Sequence, residues 1–194
     1  MHIVKKVYFC IIKNQFNAII EEAIQWLVDA GLVYKVERVS KPAMPLKFYA
    51  DNNAFKLYLL DCGLLACMTE ANPNQMLLGM TAFTEFKGSF TENFVIQQLK
   101  AAGCQSAYYY SKDNSTMEVD FLFQTAERVF PVEAKAEDNV KSHSLSNFVR
   151  NDFAEMSLKG LRMSMKPYID QGWMENIPLY SAESYVKNQM KWRR

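Results

Sequence analysis

The sequence predicts an α/β protein: a mixed sheet flanked by helices, preceded by a small helix-and-strand segment. Three observations predict it. Phe16, Ile19, Ile20, Ala23, Ile24 and Leu27 recur at the spacing of one helical face. Glu118–Gln124 and Val129–Ala136 alternate as strands, joined by the four residues Thr125-Ala126-Glu127-Arg128. A long helical pattern from about Phe83 to Ala102 ends at Gly103.

Taken in order, the first helix covers Phe16 to Ala30 and stops at Gly31, a residue that tolerates the left-handed turn closing a helix. Leu32 to Val39 alternates as a strand, and Ser40 to Pro45 is a loop with two prolines. Phe48 to Ala50 is extended and turns at Asp51-Asn52-Asn53. The next strand sets Phe55, Leu57 and Leu59 on one face and Lys56 and Tyr58 on the other. Asp61 caps a short helix carrying Leu64, Leu65 and Met68. Helix, strand, loop, strand is the order of a winged helix, although Glu21, Glu22 and Asp29 would set its helix against phosphate. The polar break around Asn72-Pro73-Asn74 divides a winged-helix-like segment, 1–72, from a larger domain, 73–194.

In the larger domain, strands are expected at Ala107–Ser111, Glu118–Gln124, Val129–Ala136 and Leu158–Met165. A helix is expected near Ser144–Asp152, and a last short helix behind Ser181. Trp173 to Leu179 is apolar but irregular, with Pro178 inside it. Met163, Met165, Trp173 and Met174 read as packing residues. In the strand Tyr108-Tyr109-Tyr110 the middle ring faces away from its neighbours, so packing rather than base stacking is expected.

Composition narrows the function. The chain has 194 residues, with 22 Lys and Arg against 21 Asp and Glu, a net charge of +1. Such a balance gives no global pull toward nucleic acid or membrane, so any phosphate-binding surface is local. The last segment, 141–194, holds a modest basic excess, and Ser111 and Lys112 lie close in sequence to the acids discussed next. Four cysteines without a Cys-x-x-Cys pair and two histidines argue against structural zinc and a disulfide scaffold. The longest apolar run, Val7 to Ile12, cannot span a bilayer, and Lys13 and Asn14 follow it instead of a cleavage site. The expected setting is cytoplasmic, away from membranes.

The residues that suggest chemistry are Glu92, Asp120, Glu133 and Lys135. Period 2 places Asp120 opposite the Val119-Phe121-Phe123 set, and Glu133 and Lys135 opposite Phe130, Val132 and Ala134. The four-residue hairpin pairs Gln124 with Val129, which brings Asp120 across from Glu133. Directly opposed like charges destabilise a sheet. A raised pKa, a cation or a metal must offset them. Two carboxylates with Lys135 alongside suit Mg²⁺ or Mn²⁺ and an activated water. Glu92 sits at the shoulder of a helix, either as a third acid of this group or as the closing residue of a Ser89-Phe90-Thr91-Glu92 capping box.

A helical Glu, a strand Asp and Val132-Glu133-Ala134-Lys135 on consecutive elements resemble the PD-(D/E)XK nuclease superfamily. Further stretches are more specific: Ala30-Gly31-Leu32-Val33-Tyr34, Ser40-Lys41-Pro42, Phe55 to Leu64, Glu92-Asn93, Glu118-Val119-Asp120-Phe121 and Asn176-Ile177-Pro178-Leu179-Tyr180. Together they resemble the C-terminal region, domain of unknown function 4143, of a prokaryotic family of AAA-type ATPases. The resemblance implies a restriction-endonuclease-like sheet behind a winged-helix-like segment, with Asp120, Glu133 and Glu92 as metal ligands. It assigns Lys135 and Glu92 to catalysis and implies DNA and an ATPase module as partners. No Gly is followed by Lys, so the phosphate-binding loop of such a module is missing and ATP hydrolysis is not expected. A nuclease-like phosphodiesterase is the first expectation. The alternative is a non-catalytic domain that keeps the fold to bind nucleic acid or protein.

Overall fold

Each half of the chain contributes strands to one continuous sheet. A computed structural model describes residues 16–70, 86–112, 117–136 and 142–191. The apolar run Val7–Ile12, the break at Asn72-Pro73-Asn74, the helix start at Phe83, the turn Asp113–Ser115 and the terminal Trp192-Arg193-Arg194 lie outside the described residues. Five α-helices are described: α1 (Phe16–Asp29), α2 (Cys62–Met68), α3 (Lys87–Ala101), α4 (His143–Asn147) and α5 (Ala182–Lys191). The strands are β1 (Val33–Val39), β2 (Ala50–Leu59), β3 (Tyr108–Ser111), β4 (Glu118–Gln124), β5 (Val129–Lys135), β6 (Gly160–Ser164), β7 (Ile169–Asp170) and β8 (Met174–Pro178). They form an eight-stranded mixed sheet in the order β2-β1-β3-β4-β5-β6-β8-β7. The expected α/β class holds.

The two glycine stops hold as well. Leu32 N–H donates to Leu27 O and Gly31 N–H to Val28 O, with Gly31 at φ +71°. Cys104 N–H donates to Leu99 O and Gly103 N–H to Lys100 O, with Gly103 at φ +92°. Both are the paired closing bonds of a helix end that needs a residue without Cβ. Asp61 caps α2 as expected, its Oδ1 accepting Leu64 N–H at 2.8 Å.

The strands alternate between two buried layers. On one face Phe121, Phe123, Phe130, Val132, Leu161, Met163 and Ile177 meet Val95, Ile96 and Leu99 of α3 and Val186 of α5. On the other, Tyr108, Tyr110, Leu122, Val129 and Met174 meet Leu145, Phe148 and Val149 of α4 and the π-helical turn behind it. Fully burying a side chain such as Phe121 or Phe123 stabilises by about 1.5–3 kcal/mol. Tyr109 packs in the first layer and its two neighbours in the second, as the alternation requires.

Val36 of β1 and Tyr58 of β2 belong to the first layer, and β1 runs parallel to β3 through Glu37↔Tyr108 and Arg38↔Tyr109. The sheet therefore continues across the division expected near residue 72.

Several local expectations are corrected. Asp51-Asn52-Asn53 is not a turn between strands. It lies within β2, where the ladder with β1 shifts from Glu37↔Phe55 to Arg38↔Asp51, and the bulge absorbs the extra residues. Trp173–Leu179 is more regular than its composition suggests, because Pro178 is the last residue of β8, where a missing donor is tolerated. The helix near Ser144–Asp152 narrows to α4 and passes into the π-helical turn Phe148–Asp152.

Two packing expectations change as well. Met165 is exposed, since it lies just past the end of β6. The apolar stripe of α1 is mostly open, with Ile24 buried and Ile19 69% exposed, because α1 packs against β1 near one end of the sheet. Among the described residues no helix is long and apolar enough to cross a membrane.

Candidate functional site

The β4–β5 hairpin has the expected register. Thr125 N–H donates to Arg128 O at 3.0 Å, and the ladder runs from Gln124↔Val129 to Phe121↔Val132. One more step would oppose Asp120 to Glu133. At that step the Asp120 side chain takes over, its Oδ2 accepting Ala134 N–H at 2.9 Å. On the other edge of β4 the register slips, with Tyr108↔Leu122 but Tyr110↔Val119. Two residues of β3 thus span three of β4, and Asp120 lies inside that bulge. The expected Val119-Phe121-Phe123 face is corrected accordingly: Val119 packs with Leu122 in the second layer, and Phe121 and Phe123 pack in the first.

The bulge sets the surroundings of Asp120. Its carboxyl is pushed up to about 7, first by loss of water and next by the charge of Glu92, with a smaller contribution from Glu133. Lys56 and the Ala134 N–H act in the opposite sense. Glu92 is therefore a stronger electrostatic neighbour of Asp120 than Glu133 is.

Glu92 is not a capping residue. Helix α3 starts at Lys87 behind Phe86, so Ser89 lies inside it and the capping-box reading fails. Glu92 Oε2 instead accepts the Tyr58 hydroxyl at 2.9 Å and lies 4.0 Å from Lys56 Nζ.

Lys56 and Tyr58 form a part of the site that the sequence reading missed. Alternation sets both opposite Phe55, Leu57 and Leu59, yet Lys56 is 5% exposed and Tyr58 is buried. The Lys56 ammonium lies 4.8 Å from the centre of the Tyr109 ring and 2.6 Å from Glu118 Oε1. A lysine survives burial when its charge is paired, and alternation alone carries no sign of a partner three strands away. Tyr58 touches the Phe121 ring at 5.3 Å between centroids. Burial and the charges of Glu92, Asp120 and Glu118 hold its phenol well above the ordinary range. Asn93, buried, fixes the strand beneath: its Oδ1 accepts Leu59 N–H at 2.9 Å and its Nδ2 donates to Leu59 O at 3.2 Å. The adjacent Glu92-Asn93 thus serves two ends of one contact, charge and backbone.

Glu133 is 4% exposed. Its Oε1 lies 3.1 Å from Lys135 Nζ, while Oε2 is buried without a hydrogen-bond partner among the described residues. Arg162 stands beside Glu133 in the parallel β5–β6 register. Burial lowers the pKa of that guanidinium, and the charge of Glu133 acts to raise it. Arg162 Nε donates to Asn176 Oδ1 at 2.8 Å, as does Ser164 Oγ at 2.7 Å. Asn176 Nδ2 donates to Lys166 O and Pro167 O, which pins the connection after β6. Asn176, which the sequence marks only within Asn176-Ile177-Pro178-Leu179-Tyr180, thus orients Arg162.

Among the described residues no three His, Cys, Asp or Glu side chains form a ready metal-binding group. The expected three-acid shell is thus not preassembled. Asp120 and Glu133 supply hard oxygen donors, and Glu133 Oε2 is one of three buried side-chain oxygens without a hydrogen-bond partner among the described residues.

Residues 87–180 match the family model Domain of unknown function (DUF4143). The DUF4143 segment carries Glu92, Asn93, Glu118, Asp120, Glu133, Lys135, Arg162 and Asn176. Residues 15–75 match a second one, Domain of unknown function (DUF8612), which carries Lys56 and Tyr58. The site in residues 87–180 is therefore completed by two side chains from residues 15–75. No curated protein and no solved structure matches the chain.

Proposed function

We propose that the DUF4143 segment is a PD-(D/E)XK-type, metal-dependent phosphodiesterase acting on DNA, and that it works beside the ATPase module of an AAA-type protein. The observation that carries this reading is Glu133: buried, paired with Lys135 through one oxygen and with a second oxygen that no described residue satisfies. A buried carboxylate oxygen without a partner is costly to a fold and needs a reason.

Asp120 and Glu133 would hold Mg²⁺ or Mn²⁺. Bound there, the ion would lower the pKa of a water and offset the charge of a phosphate. Asp120 is held by Ala134 N–H, so its carboxylate is fixed before any ligand arrives. Lys135, whose side chain is 34% exposed, is the cation able to reach out from this pair. It would orient the attacking water or meet the charge developing on the phosphate. Glu92 acts from behind, through the charge it places on Asp120, and is better described as a positioning residue than as a ligand.

Incubation of plasmid DNA with the protein in Mg²⁺ or Mn²⁺ tests the proposal. Cleavage by the wild type, lost in Glu133→Gln and Lys135→Ala, supports it. Undamaged DNA and RNA under all conditions would overturn it. The lack of a preassembled three-acid group among the described residues favours the second reading, a nucleic-acid- or protein-binding domain that keeps the fold.

A further inference from the structure

Lys56 has no role in the chemistry proposed above, yet it is among the most unusual side chains in the molecule. It is nearly fully buried, its ammonium bridges Glu118 at 2.6 Å and Glu92 at 4.0 Å, and Tyr109 provides an aromatic face 4.8 Å away. Its partner Glu118 stands two residues before Asp120 on β4. Lys56 comes from β2, at one end of the sheet, and reaches past β1 and β3 to an acid of β4. Tyr58 and the Asn93–Leu59 bonds hold that strand against α3, so the ammonium has a fixed approach.

Glu118 and Glu92 place two carboxylates around that ammonium. With Lys56 in place, that pair already contains its counter-charge. We propose that Lys56 is a built-in cation which competes with a divalent metal for the field of these acids, and so sets how tightly the neighbouring Asp120–Glu133 pair binds it. This rests on the metal-binding reading above. It makes Lys56 a positioning residue contributed by residues 15–75 to a site whose acids lie in residues 87–180.

The direction of the effect separates this role from a structural one. A residue that merely supports the fold, once removed, leaves a looser and weaker metal site. A competing charge, once removed, leaves a tighter one. A unit charge within several ångströms of a divalent ion at an effective dielectric constant of about 20 changes affinity by roughly tenfold or more.

The test is titration of Mn²⁺ into the full chain, read by calorimetry or by the loss of the free-ion resonance. Lys56→Met is expected to bind about tenfold more tightly than the wild type, and Lys56→Arg, which keeps the charge, within about twofold of it. Lys56→Gln, which retains a donor for Glu118, is measured alongside and should move in the same direction as Lys56→Met. A Lys56→Met chain that fails to fold therefore does not spare the proposal. Equal or weaker binding in the folded neutral variants would overturn the role of Lys56 and leave the metal site standing. Absence of Mn²⁺ binding in the wild type and every variant would overturn the metal reading itself.

Discussion

Replacing Asp120 by Asn tests the electrostatics of the site without touching its packing. Asparagine keeps an oxygen that can accept Ala134 N–H, now at 2.9 Å from Asp120 Oδ2, and removes only the charge. An ordinary Asp carboxyl titrates near 3.8, and in the folded chain Asp120 is raised to about 7. Between those values the folded protein holds a proton that the unfolded chain releases. Stability then falls as pH rises from about 4 to about 7 and levels off above. Three pH units at about 1.4 kcal/mol each set a ceiling of about 4 kcal/mol on that loss. Asp120→Asn should therefore match the wild type near pH 4 and exceed it by up to about 4 kcal/mol at pH 8. Urea unfolding of both proteins at pH 4.5, 6 and 8 in the presence of a chelator measures it. A difference that does not grow with pH, or a variant less stable at pH 8, would refute the assignment of Asp120 as a half-buried acid with a raised pKa.

Other predictions follow from the same contacts. Glu92→Gln removes the largest charge acting on Asp120 and should shift the wild-type stability loss toward lower pH, which the same unfolding series detects. Asn93→Ala leaves Leu59 N–H and C=O without their Asn93 partners and should lower stability by about 2–6 kcal/mol in urea unfolding, since each buried unsatisfied group costs about 1–3 kcal/mol. Gly103→Ala meets no atom within 4 Å, so its loss should be only the left-handed backbone penalty, about 1–2 kcal/mol, visible as a lower Tm. Lys135→Ala should keep the rise in Tm that Mn²⁺ produces while losing DNA cleavage, because an ammonium is not a metal ligand.

What could be read from sequence was what depends on near neighbours. The glycine stops at Gly31 and Gly103, the Asp61 cap, the hairpin register from Gln124↔Val129 and the opposite facing of Tyr109 are all set by local geometry, and all hold. The candidate acids were visible because charges interrupt otherwise apolar strands. The bulge at Asp120 was not visible, since it depends on how β3 pairs with β4 across a connection whose register no short pattern states. Lys56 was misplaced for the same kind of reason. Its partners Glu92 and Glu118 are 36 and 62 residues away in the chain, and only the closed sheet brings their carboxylates to its ammonium. The capping box at Ser89 failed because helix α3 begins at Lys87, two residues before Ser89, so the motif falls inside the helix instead of at its start.

The direct test of the Asp120–Glu133 pair is calorimetric titration of Mn²⁺ into the wild type and Glu133→Gln at pH 8, where Asp120 is mostly ionised. One site in the wild type and none in Glu133→Gln is the expected result. Identical isotherms for the two proteins, or a wild type that takes up no metal, would contradict it.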